Sequence, residues 1–461
     1  QGGYRAPLTI MQSSGGMTSS AIARAIPIRT LESGPAGGVI GASALGRKLD
    51  LSNLVAADVG GTTFDVALIV DGEPLEKAET QVNRRPVLQP TLDIVSIGAG
   101  GGSIAWLDGE GGLRVGPRSA EANPGPACFG LGGTEPTVTD AQIVLGYLDP
   151  DYYLGQRMSL DKAAAENAIR DQIAIPLKLD LMQAAYGIYH LAVMNMTYAI
   201  RNITVERGHD PRAFSLACFG GGGGLFAAHL LNELECTQAI VPVNPANFSS
   251  WGLLNADYRE DLTLMFVRSL VETDLDELRS VLRTMEAEAR QTLDDNNIDG
   301  SSLSARYFAE MRYVGQEHTV RVPLLDSDLQ DGTFAELRQR FNSLHEQAYA
   351  HMLPDKPVEF VRLRLAAVVT EPTPEMVPLS GAAEQNARKG QRHVAFNTQD
   401  VPVECPVYDR PKLSPGQRIE GPLIVEEWTS TTLVLPGQCL EVDAYGNLII
   451  TRLDGEKNHD D

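Results

Sequence analysis

Two carboxylates bracket a run of glycines and threonines in the stretch ADVGGTTFDVALI, residues 57–69. Asp58 ends one apolar run, Gly60, Gly61, Thr62 and Thr63 follow, and Asp65 opens another. Glycine lets a backbone approach an anion closely, successive N–H groups form an anion nest, and threonine hydroxyls add donors. Carboxylates repel phosphate directly but orient Mg2+ or its waters beside it. The plain alternative is a hairpin turn with a Gly-Gly bend and no ligand. The run after the loop, FDVALIV, is β-branched, short and ended by Asp71–Gly72. A P-loop or dinucleotide fingerprint needs a helix there. The pattern therefore reads strand, turn, strand, and a phosphate site built on a helix dipole fits poorly.

Two further glycine segments bear on the same question. CFGGGGGLFAAH, Cys218–His229, places Gly220, Gly221, Gly222, Gly223 and Gly224 between a strand and a helix. Each ordered glycine costs roughly 1 kcal/mol against alanine, so the run needs a reason. Close approach of a flat or anionic ligand is one, a tight helix–strand crossing is another, and the strand–glycine–helix context favours nucleotide contact. GAGGGS supplies Gly100, Gly101 and Gly102, either as a second backbone nest near the same ligand or as a loop packed under its neighbours. Cys128 in PGPACFG reads as a buried structural thiol rather than a nucleophile, because no histidine lies near it in sequence. His190 sits on an apolar helical run and reads as a packed core residue, and Asp140 in TVTDAQIVLGYL reads as a helix N-cap.

The chain that must position these groups has 461 residues, enough for two or three cores. Acids outnumber bases 60 to 38, a net charge of −22, which disfavours a nucleic-acid partner. No apolar run reaches the ~18 residues a membrane helix needs, so no membrane partner is expected. Five cysteines, odd in number and widely spaced, show no zinc pattern and fit reduced thiols in a cytoplasmic protein. The first residue is Gln1 and LTIM already reads as a strand, so a preceding segment is expected.

Along the chain, residues 1–150 are glycine-rich and strand-rich, with Asp71–Gly72 as a hairpin turn. Residues 98–133 hold so much Gly and Pro that they read as surface or site-lining loops. Ser159 is a cap candidate for SLDKAAAENAIRDQI, and LMQAAYGIYHLAVMNMTYAIRNITVERG reads as a buried helix ending near Gly208. AFSLACF, the glycines, LFAAHLLNEL and QAIVPV form a strand–loop–helix–strand unit. The resulting division is a core over 1–260, a small α+β domain over 261–371, a linker over 372–390 and a β-rich cap over 391–461 with a frayed acidic end.

The series IMQSSGG, ESGPAGGVIGA, DVGGTTFDVALI, GAGGGSIAW, VGPRSAEANPGPACFG, PTVTDAQIVLGYL, ITVERGHDPRAF and FGGGGGLFAAH resembles the hydantoinase A / 5-oxoprolinase family, which includes acetone and acetophenone carboxylase subunits. MRYVGQEHTV and EGPLIVEEWTSTTLVLPG extend the resemblance to about residue 440. The resemblance implies an α/β fold with an actin/hexokinase-like (ribonuclease H-like) ATPase core, in which one hairpin from each half grips the phosphates. Asp58, Gly60, Gly61, Thr62, Thr63 and Asp65 match the second such hairpin, and Gly220 to Gly224 match the adenosine-side motif. The first hairpin has no counterpart in this chain. The resemblance further implies ATP and Mg2+, with Asp58 holding Mg2+ through water, and a second large subunit of the hydantoinase B type in a hetero-oligomer. The implied reaction phosphorylates a carbonyl or amide oxygen of a small substrate, for ring opening of a cyclic amide such as a hydantoin or 5-oxoproline. Carboxylation of a ketone and a non-catalytic nucleotide-binding scaffold are the alternatives. This chain departs from the family pattern FGGAGPLHA: Gly222 stands for Ala, Gly224 for Pro and Phe226 for His, with His229 one helical turn on. Glu121 stands where the family usually has Gly.

Overall fold

The Asp58–Asp65 hairpin follows from simple alternation. In a computed structural model, which describes residues 8–77, 80–82, 85–87, 89–331, 334–379, 387–397 and 402–453, strands Leu54–Val59 and Phe64–Val70 pair antiparallel. Val55, Ala57, Val59, Phe64, Val66 and Leu68 alternate onto one face and are wholly buried in the main core. Each large side chain among them contributes roughly 1.5–3 kcal/mol by leaving water. Asp58 and Asp65 lie on the opposite face, directly across from each other in the register. The expected turn at Asp71–Gly72 is present: both have positive φ, 52° and 83°, and Glu73–Pro74 folds back onto Ile69–Val70.

Two units make up the chain, each drawing on several segments. The unit holding the hairpin comprises Gly38–Leu75, Asp93–Gly252 and Glu375–Asp461. Its main sheet runs, in spatial order, Ile94–Ile97, Phe64–Val70, Leu54–Val59, Ser215–Phe219, Ala239–Val241, Leu448–Arg452, Gln438–Val442 and Arg418–Glu420. Ser215–Phe219 pairs parallel with Leu54–Val59, and the register sets Phe219 beside Asp58. That pairing carries the glycine run, which follows Phe219, to the mouth of the hairpin. The expected buried helix spans Leu181–Glu206, with Gly208 just beyond it at φ 76°. Its Asp180 and Gln183 form a capping box, and Ala184, Ile188, Tyr189, Ala192, Met196, Ile200 and Ile203 repeat every three to four residues into the core. A second sheet joins Arg388–Val394, Val403–Asp409, Leu423–Glu426 and Thr431–Val434.

The other unit comprises Gln1–Gly37, Glu76–Leu92 and Leu253–Pro374. Its sheet orders Thr9–Met11, Met17–Ser19, Tyr258–Ser269, Val358–Val369, Leu303–Tyr313 and Val320–Leu324. Helices Leu275–Asp295 and Ala335–Tyr349 bury Leu278, Leu282, Met285, Leu337 and Phe341 in its core. From Leu275 onward the chain runs through helix Leu275–Asp295, strands Leu303–Tyr313 and Val320–Leu324, the short helix Asp328–Asp331, helix Ala335–Tyr349 and strand Val358–Val369. Arg259 is clamped between Glu76 (2.6 Å) and Asp261 (2.9 Å), and Arg321 reaches the same Glu76 (2.7 Å). Burial alone would raise the Glu76 carboxyl, but Arg259 and Arg321 more than offset it and hold it at about 2.

Three local expectations need correction. Residues 103–119 are a β-hairpin, Ser103–Leu107 with Leu113–Ser119 and a register shift between Ser103 and Ala105, rather than loop. Asp108 makes it possible by accepting from the N–H groups of Glu110 and Gly112 across the glycine-rich turn. The helix Lys162–Ile169 is capped by Asp161, which accepts from Ala164 N–H, not by Ser159. Asp140 is the third residue of helix Val138–Val144, and its N-cap is Thr137; the two form a reciprocal capping box. Residues 380–386 of the expected linker, the acidic end 454–461 and residues 1–7 lie outside the described residues. No helix among the described residues is long and apolar enough to cross a membrane.

Candidate functional site

The hairpin tip offers donors that nothing in the protein takes. Gly60 N–H closes the turn onto Thr63 O at 3.0 Å. The N–H groups of Gly61, Thr62 and Thr63 have no partner among the described residues, and all three residues are exposed. Three successive exposed residues whose N–H groups lack a protein partner are a candidate anion nest. Neither Gly60 nor Gly61 has its Cβ space blocked by more than an ordinary contact, so the glycines leave the tip open rather than packing it shut.

The carboxylates stand behind this tip. Ser249 donates to Asp58 Oδ2 at 3.2 Å, and Thr63 Oγ1 donates to Asp65 Oδ2 at 3.3 Å. Burial, then the facing charge of Asp65, push Asp58 up to about 6; the Ser249 hydrogen bond offsets only part of this. No cation is paired with either carboxylate among the described residues. Gly220 fits against Asp58 as only glycine can: its φ is 80°, and a Cβ there would lie 2.3 Å from Asp58 Oδ1.

Gly100, Gly101 and Gly102 lie against the tip, as expected, but their N–H groups are committed. Gly100 donates to Ser103 Oγ (2.9 Å), Gly101 to Gly60 O (3.1 Å) and Gly102 to Gly61 O (2.6 Å). A Cβ on Gly100 would meet the Gly61 carbonyl carbon at 2.6 Å. This loop braces the hairpin from behind; it is not a second nest. Within the five-glycine run, Gly223 and Gly224 are required by protein contacts: their Cβ atoms would come within 2.9 Å of the Cys218 backbone and 2.5 Å of Thr432 Oγ1. Gly221 alone of the run faces open space.

Gly60, Gly61, Thr62, Gly101, Gly102, Gly221 and Gly222 converge on one cavity of about 310 Å³. Asp58, Thr63 and Asp65 do not line it. Apart from Phe226 and Glu121, its remaining wall was not singled out from the sequence: Gln142 and Thr139 from one helix, Tyr152 and Tyr153 from the loop after it, Leu225 from the glycine helix, and Glu427–Thr431 from the C-terminal segment. Aromatic residues and a glutamine scattered over 300 residues carry no spacing signal; only the fold assembles them. Glu121, also on the wall, holds φ 57°, a conformation that favours glycine and that accounts for glycine being usual there.

The remaining candidates are structural. Cys128 is wholly buried; burial and then Asp140 push its thiol far up, and it is no nucleophile. Asp140 instead receives the N–H groups of Ala127, Cys128 and Thr137 together with the Thr137 hydroxyl, locking the PGPACFG turn to the helix. His229 packs edge-on against Tyr189 (5.1 Å between ring centroids), and burial, with His190 near, pushes it down to about 3. It is a core imidazole outside the cavity. Phe226, at the family's histidine position, stacks on Tyr189 at 5.2 Å and fills that corner of the wall. His190 is half-buried and stacks on Tyr186 at 5.6 Å.

An exposed phosphate-type nest, a facing carboxylate pair and an adjoining aromatic cavity in a mixed α/β fold define a candidate anion- and ring-binding site. Family models agree with that architecture: one described as Hydantoinase/oxoprolinase matches residues 1–262, and Hydantoinase/oxoprolinase C-terminal domain matches residues 269–449. The chain belongs to the hydantoinase/oxoprolinase family. It is 36% identical over 456 residues to the caprolactamase subunit alpha of Pseudomonas jessenii, covering 97% of this chain and 65% of that protein. It is 34% identical over 472 residues to the acetophenone carboxylase gamma subunit of Aromatoleum aromaticum, covering 98% of this chain and 63% of that protein. The crystal structure of the ATP-dependent caprolactamase from Pseudomonas jessenii superposes with a TM-score of 0.86 at 33% identity, over 97% of this chain and 66% of that one. The chain therefore spans about two thirds of the length of the relatives it matches.

Proposed function

We propose that this chain is part of an ATP-dependent enzyme that transfers a phosphoryl group to the carbonyl or amide oxygen of a small substrate, for ring-opening hydrolysis of a cyclic amide. The observation that carries this reading is the hairpin tip, whose Gly61, Thr62 and Thr63 N–H groups lack protein partners while Gly60, Gly61 and Thr62 line a cavity beside Gly221 and Gly222. The core is read as actin/hexokinase-like, with this hairpin as one of two phosphate grips. The likeness to a caprolactamase supports cyclic amide chemistry. The likeness to an acetophenone carboxylase subunit supports ketone carboxylation as the second reading.

In this mechanism the hairpin N–H groups and the Thr62 hydroxyl hold phosphate oxygens, while the Thr63 hydroxyl stays on Asp65, and the fixed dipoles stabilise the charge that spreads over the phosphate during transfer. Positioning does most of the work, because phosphoryl transfer needs little covalent help from the protein. The residues also fit a divalent cation. Two facing carboxylates with no paired cation, one of them raised to about 6, call for positive charge beside them. Mg2+ takes most of its ligands from phosphates and waters and needs only one or two carboxylates from the protein. Asp58 and Asp65 would hold its waters; bound there, Mg2+ would neutralise phosphate charge. A hetero-oligomer with a second large subunit completes the proposal, since relatives are named as subunits.

The test is ATP turnover by the full-length protein with its partner subunit, offered hydantoins, 5-oxoproline and lactams in one arm and ketones with bicarbonate in the other. Stimulation by a cyclic amide, lost in Asp58→Ala with the fold intact, supports the reading. Stimulation only by ketone and bicarbonate moves it to carboxylation, and no stimulation in either arm overturns both.

A further inference from the structure

Gln142 presents a buried polar group that the protein leaves unmatched. It lies on helix Val138–Val144, is 2% exposed, and lines the cavity. Its Nε2 has no hydrogen-bond partner. Neighbouring polar groups on the same wall are matched: Thr139 Oγ1 donates to Gly101 O (2.8 Å), Asp149 pairs with Arg392 (2.9 Å), and Glu427 takes both Arg410 and Ser430 at 2.7 Å. A buried amide donor without an acceptor is costly, and it is tolerated where a ligand supplies the acceptor.

The cavity around it limits what that ligand is. Tyr152 and Trp428 line it; Lys389 covers one face of the Tyr152 ring at 3.5 Å and Arg157 one face of the Trp428 ring at 5.5 Å, which leaves each ring its other face, and Trp428 keeps 63% of its surface exposed. The volume, about 310 Å³, suits a base with its sugar, and Gly61 and Thr62 of the hairpin tip line the same space. A nucleobase is a planar ring that both stacks on aromatics and meets a carboxamide edge-on. A carboxamide sets one donor beside one acceptor. Adenine matches that with the N7 acceptor and the N6 amino donor, whereas guanine presents acceptors at both N7 and O6.

We infer that Gln142 is the residue that selects the nucleotide base, donating from Nε2 to adenine N7 and accepting from N6 at Oε1. This rests on the nucleotide reading of the site and adds to it a specificity-determining side chain. Gln142 takes no part in phosphate contact, so its removal leaves the hairpin grip in place.

The experiment measures binding of four probes to the full-length protein and its Gln142→Leu variant: ATP, 7-deaza-ATP, GTP and inorganic tripolyphosphate. Leucine fills similar space without a donor, and a thermal melt confirms that the variant folds. The wild-type protein is expected to bind ATP at least about tenfold more tightly than 7-deaza-ATP or GTP. The variant is expected to bind all three nucleotides within about twofold of each other, with tripolyphosphate affinity unchanged. A wild-type protein indifferent to the N7 acceptor, or a variant that keeps the wild-type preference, overturns the assignment while leaving a nucleotide site. A wild-type protein that binds neither ATP nor tripolyphosphate overturns the nucleotide reading itself, and this inference with it.

Discussion

Asp58 and Asp65 face each other across the antiparallel hairpin, and Asp58 is the member whose carboxyl is pushed up to about 6. Burial is the larger cause and the Asp65 charge the next. Such a pair is a poor structural choice, because like charges opposite one another destabilise a sheet. Beside the exposed hairpin tip, such a pair fits the proposed phosphate site assisted by a cation.

The pair makes stability fall as pH rises. Below the ordinary 3.8 both folded and unfolded Asp58 are protonated, and no penalty arises. Between 3.8 and about 6 the unfolded chain ionises first, so the folded state loses ground, by on the order of 2–3 kcal/mol once both are ionised. Asp58→Asn should therefore stabilise the metal-free protein by about 1–3 kcal/mol at pH 7.5 or so and by almost nothing near pH 4. Denaturant melts across that range check it. The same variant should lose substrate-stimulated ATP turnover, separating the residue's functional role from its effect on stability.

Glu76 has the opposite sign. Held at about 2 against an ordinary 4.5, it contributes stability that is complete above pH 4.5 and is lost as pH falls through 2. Glu76→Gln leaves buried Arg259 short of a counter-charge and should cost about 3–5 kcal/mol at neutral pH. In acid melts the gap between variant and wild type should narrow below about pH 4.

The glycine run should split by position. Gly220→Ala forces a Cβ to 2.3 Å from Asp58 Oδ1 at a φ of 80°, and should cost at least about 3 kcal/mol or prevent folding. Gly221→Ala meets nothing within 4 Å and should leave the melt within about 0.5 kcal/mol of wild type. Its effect should appear in ATP affinity instead, because it stands on the cavity wall. Parallel melts and nucleotide titrations distinguish the two.

What could be read in advance divides along physical lines. The hairpin was legible because alternation, a Gly-Gly bend and the Asp71–Gly72 turn are all local signals. So was the helix Leu181–Glu206, whose apolar spacing runs over seven turns. For Gly100 to Gly102 the nest and the packed loop stayed open alternatives, because a free N–H and one bonded to Gly60 O look identical in sequence. The five-glycine run invited a ligand explanation, yet Gly223 and Gly224 answer to Cys218 and Thr432, the latter more than 200 residues away. Gln142, Tyr152 and Trp428 gave no signal at all, since their meeting depends on tertiary packing. Cap positions slipped by two or three residues, at Ser159 and Asp140, because Asp161 and Thr137 offered equally good side chains nearby.

The central claim is that the Gly61–Thr63 tip holds phosphate. A crystal structure of the full-length protein with Mg2+ and a non-hydrolysable ATP analogue tests it most directly. The account predicts phosphate oxygens at about 3 Å from the backbone nitrogens of Gly61, Thr62 and Thr63, with the base in the Gln142 cavity. An analogue bound with its phosphates away from this tip, its N–H groups still facing solvent, would contradict it.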